Sequence, residues 1–186
     1  MTDKKRLPAS GRIIAFVIMA AVVIADQLTK AAAVKELVHV GNSTTAIPGV
    51  LDFTYVLNSG ATAGILSGHR WIFMVISAVV IIAASVVMAL GRIRYRFTAY
   101  SLALIVGGGI GNMIDRVARG KVVDFINVTF VDFFPFNTVF NVADMCVCIG
   151  CALLVLSVIV SEIKERKEHK DAAAGAEEER EDQDGI

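Results

Sequence analysis

The chain has no surplus of charge of either sign: 18 lysines and arginines balance 18 aspartates and glutamates. A protein that grips nucleic acid through its phosphates needs a basic excess, so that partner is excluded. Histidine is scarce, and His39, His69 and His169 all lie outside the apolar runs. No His-Glu-x-x-His pair exists to hold a zinc ion within a membrane helix. No Gly-x-Ser-x-Gly elbow exists, and no apolar run joins a serine to a histidine. Ser59, in Asn58-Ser59-Gly60, is a turn residue with no base at hand. The three cysteines, Cys146, Cys148 and Cys151, sit in one apolar run beside Val147, Ile149 and Ala152. A zinc site needs polar surroundings and a fourth ligand. These cysteines are expected to be small buried hydrophobes, and neither a metal nor a cofactor is expected.

Apolar residues are abundant instead. They make up 55% of the 186 residues, and the mean hydropathy is +0.65. That exceeds what an ordinary soluble domain carries. Four segments are near the length needed to cross a hydrocarbon core of about 30 Å. They run from Ile13 to Thr29, Trp71 to Leu90, Phe97 to Ile114, and Phe140 to Ser161. The second has no charge and is the clearest. The fold class expected is an α-helical integral membrane protein with four transmembrane helices. Lys4, Lys5, Arg6 and Arg12 precede the first span, and three later spans favour a retained helix over a cleaved signal peptide.

Basic residues set the orientation. They cluster at the amino end, at Arg92, Arg94 and Arg96, and at Lys164, Arg166, Lys167 and Lys170. With four spans, all three groups fall on one side, the cytoplasm. The other side receives two loops, 31–70 and 115–139. Residues 1–163 form the membrane domain. Residues 164–186 are charged, lack large apolar side chains, and are expected to be a disordered cytoplasmic tail. The outer loops hold strand-like runs, Thr45–Leu57 around a Pro48-Gly49 turn and Val122–Phe134. A small outer sheet is expected. Trp71, Tyr55 and Tyr95 read as interfacial anchors.

Polar groups at the ends of membrane helices are costly and mark function. Here they gather at the outer ends. Asp26 and Lys30 lie four apart, on one face of the first span. Asn112, Asp115 and Arg116 close the third span. Asn141 and Asp144 open the fourth, and Asp124 sits in the second outer loop. Asp115 beside Arg116 also suits an ion pair, Asp124 suits a loop pair with Lys121 or Arg119, and Asn141 or Asp144 suits a helix cap. The Gly107-Gly108-Gly109-Ile110-Gly111 run follows no strand. It is a close-packing or slightly unwound segment rather than a nucleotide loop.

Two apposed carboxylates hydrolyse an amide without a metal. Both cannot ionise at close range, so they share a proton. The ionised member takes a proton from water, and the protonated one donates to the carbonyl oxygen. Asp144 is one candidate. Its partner is either Asp115 or Asp124, and the residues alone leave that open. A small transporter with proton- or cation-binding aspartates is the alternative, although a carrier wants its carboxylate near the midplane.

Five motifs bear a resemblance to a known family. They are Asp26-Gln27-Leu28-Thr29-Lys30, Asn58-Ser59-Gly60-Ala61, Gly111-Asn112-Met113-Ile114-Asp115-Arg116, Val122-Val123-Asp124-Phe125 and Phe140-Asn141-Val142-Ala143-Asp144. In this order the chain resembles the bacterial lipoprotein signal peptidases, or signal peptidase II, from Ile13 to Val160. The resemblance implies a four-helix aspartyl peptidase with an extracytoplasmic β-cradle. Such an enzyme removes the signal peptide of diacylglyceryl-modified prolipoproteins before the lipidated cysteine. It implies Asp124 and Asp144 as the catalytic pair. Asn58, Gly60, Asn112, Arg116, Asn141 and Ala143 would line the substrate site, and Asp26, Lys30 and Asp115 would support it. It further implies a monomer in the bacterial inner membrane among phospholipids, both termini cytoplasmic, the site at the outer leaflet, and inhibition by globomycin-type peptides. Where relatives carry an aromatic residue in the first outer loop, this chain has Ala63. Phe130, Phe133, Phe134 and Phe136 are expected to dip into the outer leaflet near the substrate's acyl chains.

Overall fold

A computed structural model of the chain describes residues 6–59, 70–129 and 139–184. Gly60, Ala63 and the four phenylalanines just named lie outside them. The described residues form α1 (Ala9–Leu37), β1 (Ser43–Ile47), β2 (Leu51–Asn58), α2 (Arg70–Ala89), α3 (Arg96–Arg119), β3 (Val122–Val128) and α4 (Val142–Asp184).

α1, α3 and α4 up to Lys167 are long and apolar enough to cross a membrane. The apolar part of α2, Met74–Ala89, is shorter, about 24 Å at 1.5 Å per residue. The expected count of four full spans is therefore met by three helices among the described residues. The outward faces are apolar: Ile13, Val17, Leu28, Ile82 and Val155 are mostly exposed. Water does not cover such a surface without cost, so the protein is a membrane protein.

Helix ends lie further out than the sequence predicts. α1 runs eight residues past Thr29, to Leu37, because Ala31-Ala32-Ala33 and Lys35-Glu36 are strong helix formers. Its exit is Val38, at φ +60°, a conformation a β-branched residue adopts only under constraint. The Asn42 amide donates to the Leu37 carbonyl at 2.7 Å, and the Gly41 N–H donates to Tyr55 O at 2.8 Å. α4 continues to Asp184 through residues expected to be a disordered tail. Ala, Glu, Lys and Arg favour helix even without an apolar face to bury.

The buried stripe of α1 is Gly11, Ala15, Val22, Asp26, Lys30, Ala33 and Leu37. Steps of three, four and seven keep it on one side. α3 answers with small residues. An added Cβ on Gly107 would lie 2.9 Å from the Met19 carbonyl of α1, and one on Gly108 would strike the Ala143 carbonyl of α4. One on Gly150 would meet the Ser101 carbonyl at 2.9 Å. The glycine run is thus close-packed helix, and its contacts are α1, α2 and α4. α4 turns Gly150 inward and Cys148 and Cys151 outward. Those two cysteines are exposed and Cys146 is half-buried, against the expectation of burial: on a helix packed along one narrow stripe, they fall on the lipid side.

The sheet is antiparallel, in the order β1-β2-β3. Gly49, at φ +69°, turns the first hairpin. Gly120 ends α3 in the left-handed conformation, its N–H on Arg116 O at 3.0 Å, and β3 begins two residues later. Val123, Phe125 and Tyr55 pack on Ala33 and Leu37 of α1. Tyr55 is therefore a core residue and not an interfacial anchor; the sheet lies on the end of α1 and covers it. Trp71 is exposed, as an anchor requires. Tyr95 carries the Arg94 guanidinium over its ring, 5.1 Å from the centroid, and reaches Glu165 at 3.4 Å.

Candidate active site

The ends of α1 and α3, the start of α4 and strand β3 meet around one cation. Lys30 is 1% exposed. Its ammonium donates to Asp26 Oδ2 at 2.8 Å, Asp115 Oδ2 at 3.0 Å and Asn112 Oδ1 at 2.9 Å. Three N–H donors find three acceptors, which is the condition for burying an ammonium group.

The two carboxylates pass the connection on. Asp26 Oδ1 accepts the Ala143 N–H, in the first turn of α4, at 3.0 Å. Asp115 Oδ2 accepts the Val123 N–H of β3 at 3.1 Å. Lys30 thus fixes α1, α3, α4 and β3 to one another. The ion pair expected between Asp115 and Arg116 is absent among the described residues; Asp115 pairs with Lys30, and more distantly with Arg119 at 3.9 Å. Neighbours in a helix point about 100° apart, and Arg116 faces away, half-buried. Gln27, named in the sequence only as a member of the first motif, joins the cluster. Its amide donates to Asp26 Oδ2 and to Gly111 O, both at 3.1 Å. Its place beside Asp26 was the available signal.

Beyond Lys30 lie Asp124 and Asp144, joined by amides. Asn112 Oδ1 accepts from Lys30, so its Nδ2 points the other way and donates to Asp144 Oδ1 at 2.7 Å. Asn141 Oδ1 accepts the Asp144 N–H at 2.9 Å, so its Nδ2 faces Asn112 Oδ1 at 3.1 Å and Asp124 Oδ1 at 2.6 Å. The cation and the helix end thereby decide which way each amide is turned.

Asp124 is 1% exposed. Asn58 pairs with Val122 across β2 and β3, which makes Asp124 its diagonal neighbour on the same face. Asn58 Nδ2 donates to Asp124 Oδ2 at 2.9 Å. No cation pairs with Asp124 among the described residues, so the expected loop pair with Lys121 or Arg119 is not formed. Burial pushes its carboxyl up to about 6; the Asn58 hydrogen bond opposes this, and the charge of Asp144 adds to it.

Asp144 is half-buried, at the third position of α4. Its Oδ2 accepts the Asn141 N–H at 3.2 Å. The two residues form a reciprocal cap, so the capping role and a place in the site coexist. Ala143 does not fit its expected part in substrate contact. It is 0% exposed, its N–H is held by Asp26, and its methyl lies against Gly111. Asn141 is likewise fully buried and meets the site through its amide alone. Among the described residues no group of His, Cys, Asp and Glu is arranged to hold a metal ion.

Comparison with known proteins bears on this arrangement. A family model described as signal peptidase (SPase) II matches residues 18–160. The lipoprotein signal peptidase of Halalkalibacterium halodurans is 40% identical over 154 residues, 82% of this chain and 96% of that one. That of Brevibacillus brevis is 42% identical over 154 residues, 81% of this chain and 99% of its own. That of Bacillus subtilis is 38% identical over 154 residues, 82% and 97% of the two chains. Two bacterial membrane enzyme structures, solved in meso at 2.3 and 1.9 Å, superpose with a TM-score of 0.71 each. They are 33% and 34% identical and cover 85% and 83% of this chain, and 93% and 96% of their own.

Proposed function

Since the chain belongs to the signal peptidase II family, we propose that it removes prolipoprotein signal peptides by an aspartic mechanism, with Asp124 and Asp144 as the catalytic pair. The family is a protease family, and the transporter alternative has no support in it. One observation carries the choice of pair. Asp115 is in direct contact with Lys30 and bonded to β3. Asp124 accepts from the amides of Asn58 and Asn141, pairs with no cation among the described residues, and has its carboxyl pushed up by burial and by the charge of Asp144.

In this mechanism the shared proton resides on Asp124, whose carboxyl stays protonated up to about pH 6. Asp144 faces N–H donors and the positive end of α4. It takes a proton from a water between the two, and that water attacks the scissile carbonyl carbon. Asp124 donates its proton to the carbonyl oxygen. The C–N bond then breaks as Asp144 gives the proton it took from water to the leaving nitrogen, and Asp124 takes back a proton from the hydroxyl that becomes part of the new carboxyl. Asn112 and Asn141 hold the carboxylates in place. Asn58 and Arg116 line the substrate site, and Asp26, Lys30 and Asp115 hold the frame.

The wider placement is proposed with it. α2 completes a fourth crossing, both termini are cytoplasmic, and the pair lies at the outer leaflet of the bacterial inner membrane. The basic groups at the amino end, at 92–96 and at 164–170 support this orientation. Residues 1–163 are the peptidase domain and 164–186 a cytoplasmic extension. The enzyme acts as a monomer and is blocked by globomycin-type peptides.

The test is cleavage of a purified, diacylglyceryl-modified prolipoprotein. Wild type releases the signal peptide; Asp124→Asn and Asp144→Asn do not. Full activity in Asp124→Asn, with loss in a folded Asp115→Asn, would overturn the pair.

A further inference from the structure

About 27 Å along α1 from Lys30, at 1.5 Å per residue, the bundle has a second polar feature. Arg12 lies in the second turn of α1. Its Nη1 donates to the Ala89 carbonyl at the end of α2, at 2.8 Å. Its Nε is buried without an acceptor among the described residues. At this end, among the described residues, Arg94 pairs with Glu165 and Arg166 with Glu162, whereas Arg6, Arg12, Arg92 and Arg96 show no carboxylate partner. The end is left strongly positive.

Beside Arg12 runs a groove of about 590 Å³. Its other walls are wholly apolar, with Ile13, Phe16 and Val17 along its sides and Ala9, Ala20 and Ala89 as its small residues. From Ala9 to Ala20 is about 16 Å of helix. That is half of a hydrocarbon core of about 30 Å, the depth of one leaflet. A cation at the mouth and a leaflet-deep apolar trough match one molecule in both charge and length.

We propose that this groove binds one anionic glycerophospholipid, its phosphate on the Arg12 guanidinium and an acyl chain against Phe16 and Val17. Arg12 keeps N–H donors for phosphate oxygens beyond the one given to Ala89. A zwitterionic lipid brings its own cation to the same place and gains less. A transmembrane helix from a second copy is the competing occupant, and the mass of the retained species distinguishes it. The site is remote from Asp124 and Asp144 and does not depend on the peptidase reading.

Native mass spectrometry of the full chain in detergent tests it, with phosphatidylglycerol and phosphatidylcholine of identical acyl chains. Wild type is expected to retain one phosphatidylglycerol about fivefold better than phosphatidylcholine. Arg12→Gln abolishes the preference. Ala20→Phe fills the trough from an exposed position, leaves Arg12 in place, and loses retention of both lipids. Equal retention of the two lipids by wild type, unchanged preference in Arg12→Gln, unchanged retention in Ala20→Phe, or a second copy of the chain in place of lipid would each overturn the proposal.

Discussion

Asn141 and Asp144 cap each other. The Asn141 side-chain oxygen accepts the Asp144 N–H at 2.9 Å, and the Asp144 carboxylate accepts the Asn141 N–H at 3.2 Å. The bond that starts α4 also sets the direction of a carboxylate in the site. The Asn141 amide reaches on to Asp124 at 2.6 Å. A serine at 141 still caps a helix but cannot donate an amide N–H to Asp124. Asn141→Ser keeps the cap but withdraws a donor from the buried acceptors on Asn112 and Asp124, so it should lose about 1–3 kcal/mol in stability and about 10²-fold in kcat. Asn141→Ala loses the cap too and should cost about 1 kcal/mol more than the serine variant. Thermal unfolding alongside cleavage rates separates the two roles, and equal activity in wild type and Asn141→Ser refutes them.

The Asp124 carboxyl predicts the alkaline side of the pH profile. In the proposed mechanism its protonated form donates, and burial, aided by the charge of Asp144, raises its pKa to about 6. As pH rises through about 6 the proton is lost, so kcat/KM should fall about tenfold per unit beyond it. The Asn58 hydrogen bond lowers that pKa. Asn58→Ala should therefore carry the falling limb to higher pH. A limb that moves down, or stays, contradicts the assignment.

Lys30 neutralises two buried carboxylates at once. Lys30→Met leaves Asp26 and Asp115 buried without a cation and should cost about 3–5 kcal/mol. Asp115→Asn leaves the Lys30–Asp26 pair intact and should cost less. Chemical unfolding in detergent ranks the variants; a Lys30→Met protein as stable as wild type would show the cluster to be dispensable.

The glycines of α3 differ in what surrounds them. Alanine at 108 meets the Ala143 carbonyl, a backbone atom one residue from Asp144, so the helices must part. Gly108→Ala should lose about 1–3 kcal/mol and most activity. Alanine at 109 meets only the Ile81 side chain, at 3.1 Å, which can shift. Gly109→Ala should retain activity and stability near wild type, and cleavage assays on the pair decide it.

The amino-acid order alone determined the membrane class, the hairpin at Pro48-Gly49, the strand at Val122, and the gathering of polar residues at one set of helix ends. Those features are local. Apolar run length, turn residues and helical spacing act within a few residues, and a charge in an apolar helix must find company at its own depth. Asp26 and Lys30, four apart, were legible as a pair for that reason. The order did not determine which carboxylate Lys30 also takes, because Asp115 is 85 residues away and the choice depends on how α3 is turned against α1. Nor did it determine that Tyr55 is core, that Cys148 and Cys151 face outward, or that Ala143 is sealed under Gly111; each depends on which side of an element the neighbours cover. The choice between Asp115 and Asp124 belongs to this second kind. Gly120 ends α3 and returns β3 alongside, which places one aspartate against Lys30 and leaves the other among amides beside Asp144. The resemblance names Asp124; the packed structure adds the difference in surroundings that supports it, since the two differ in their neighbours and not in their chemistry.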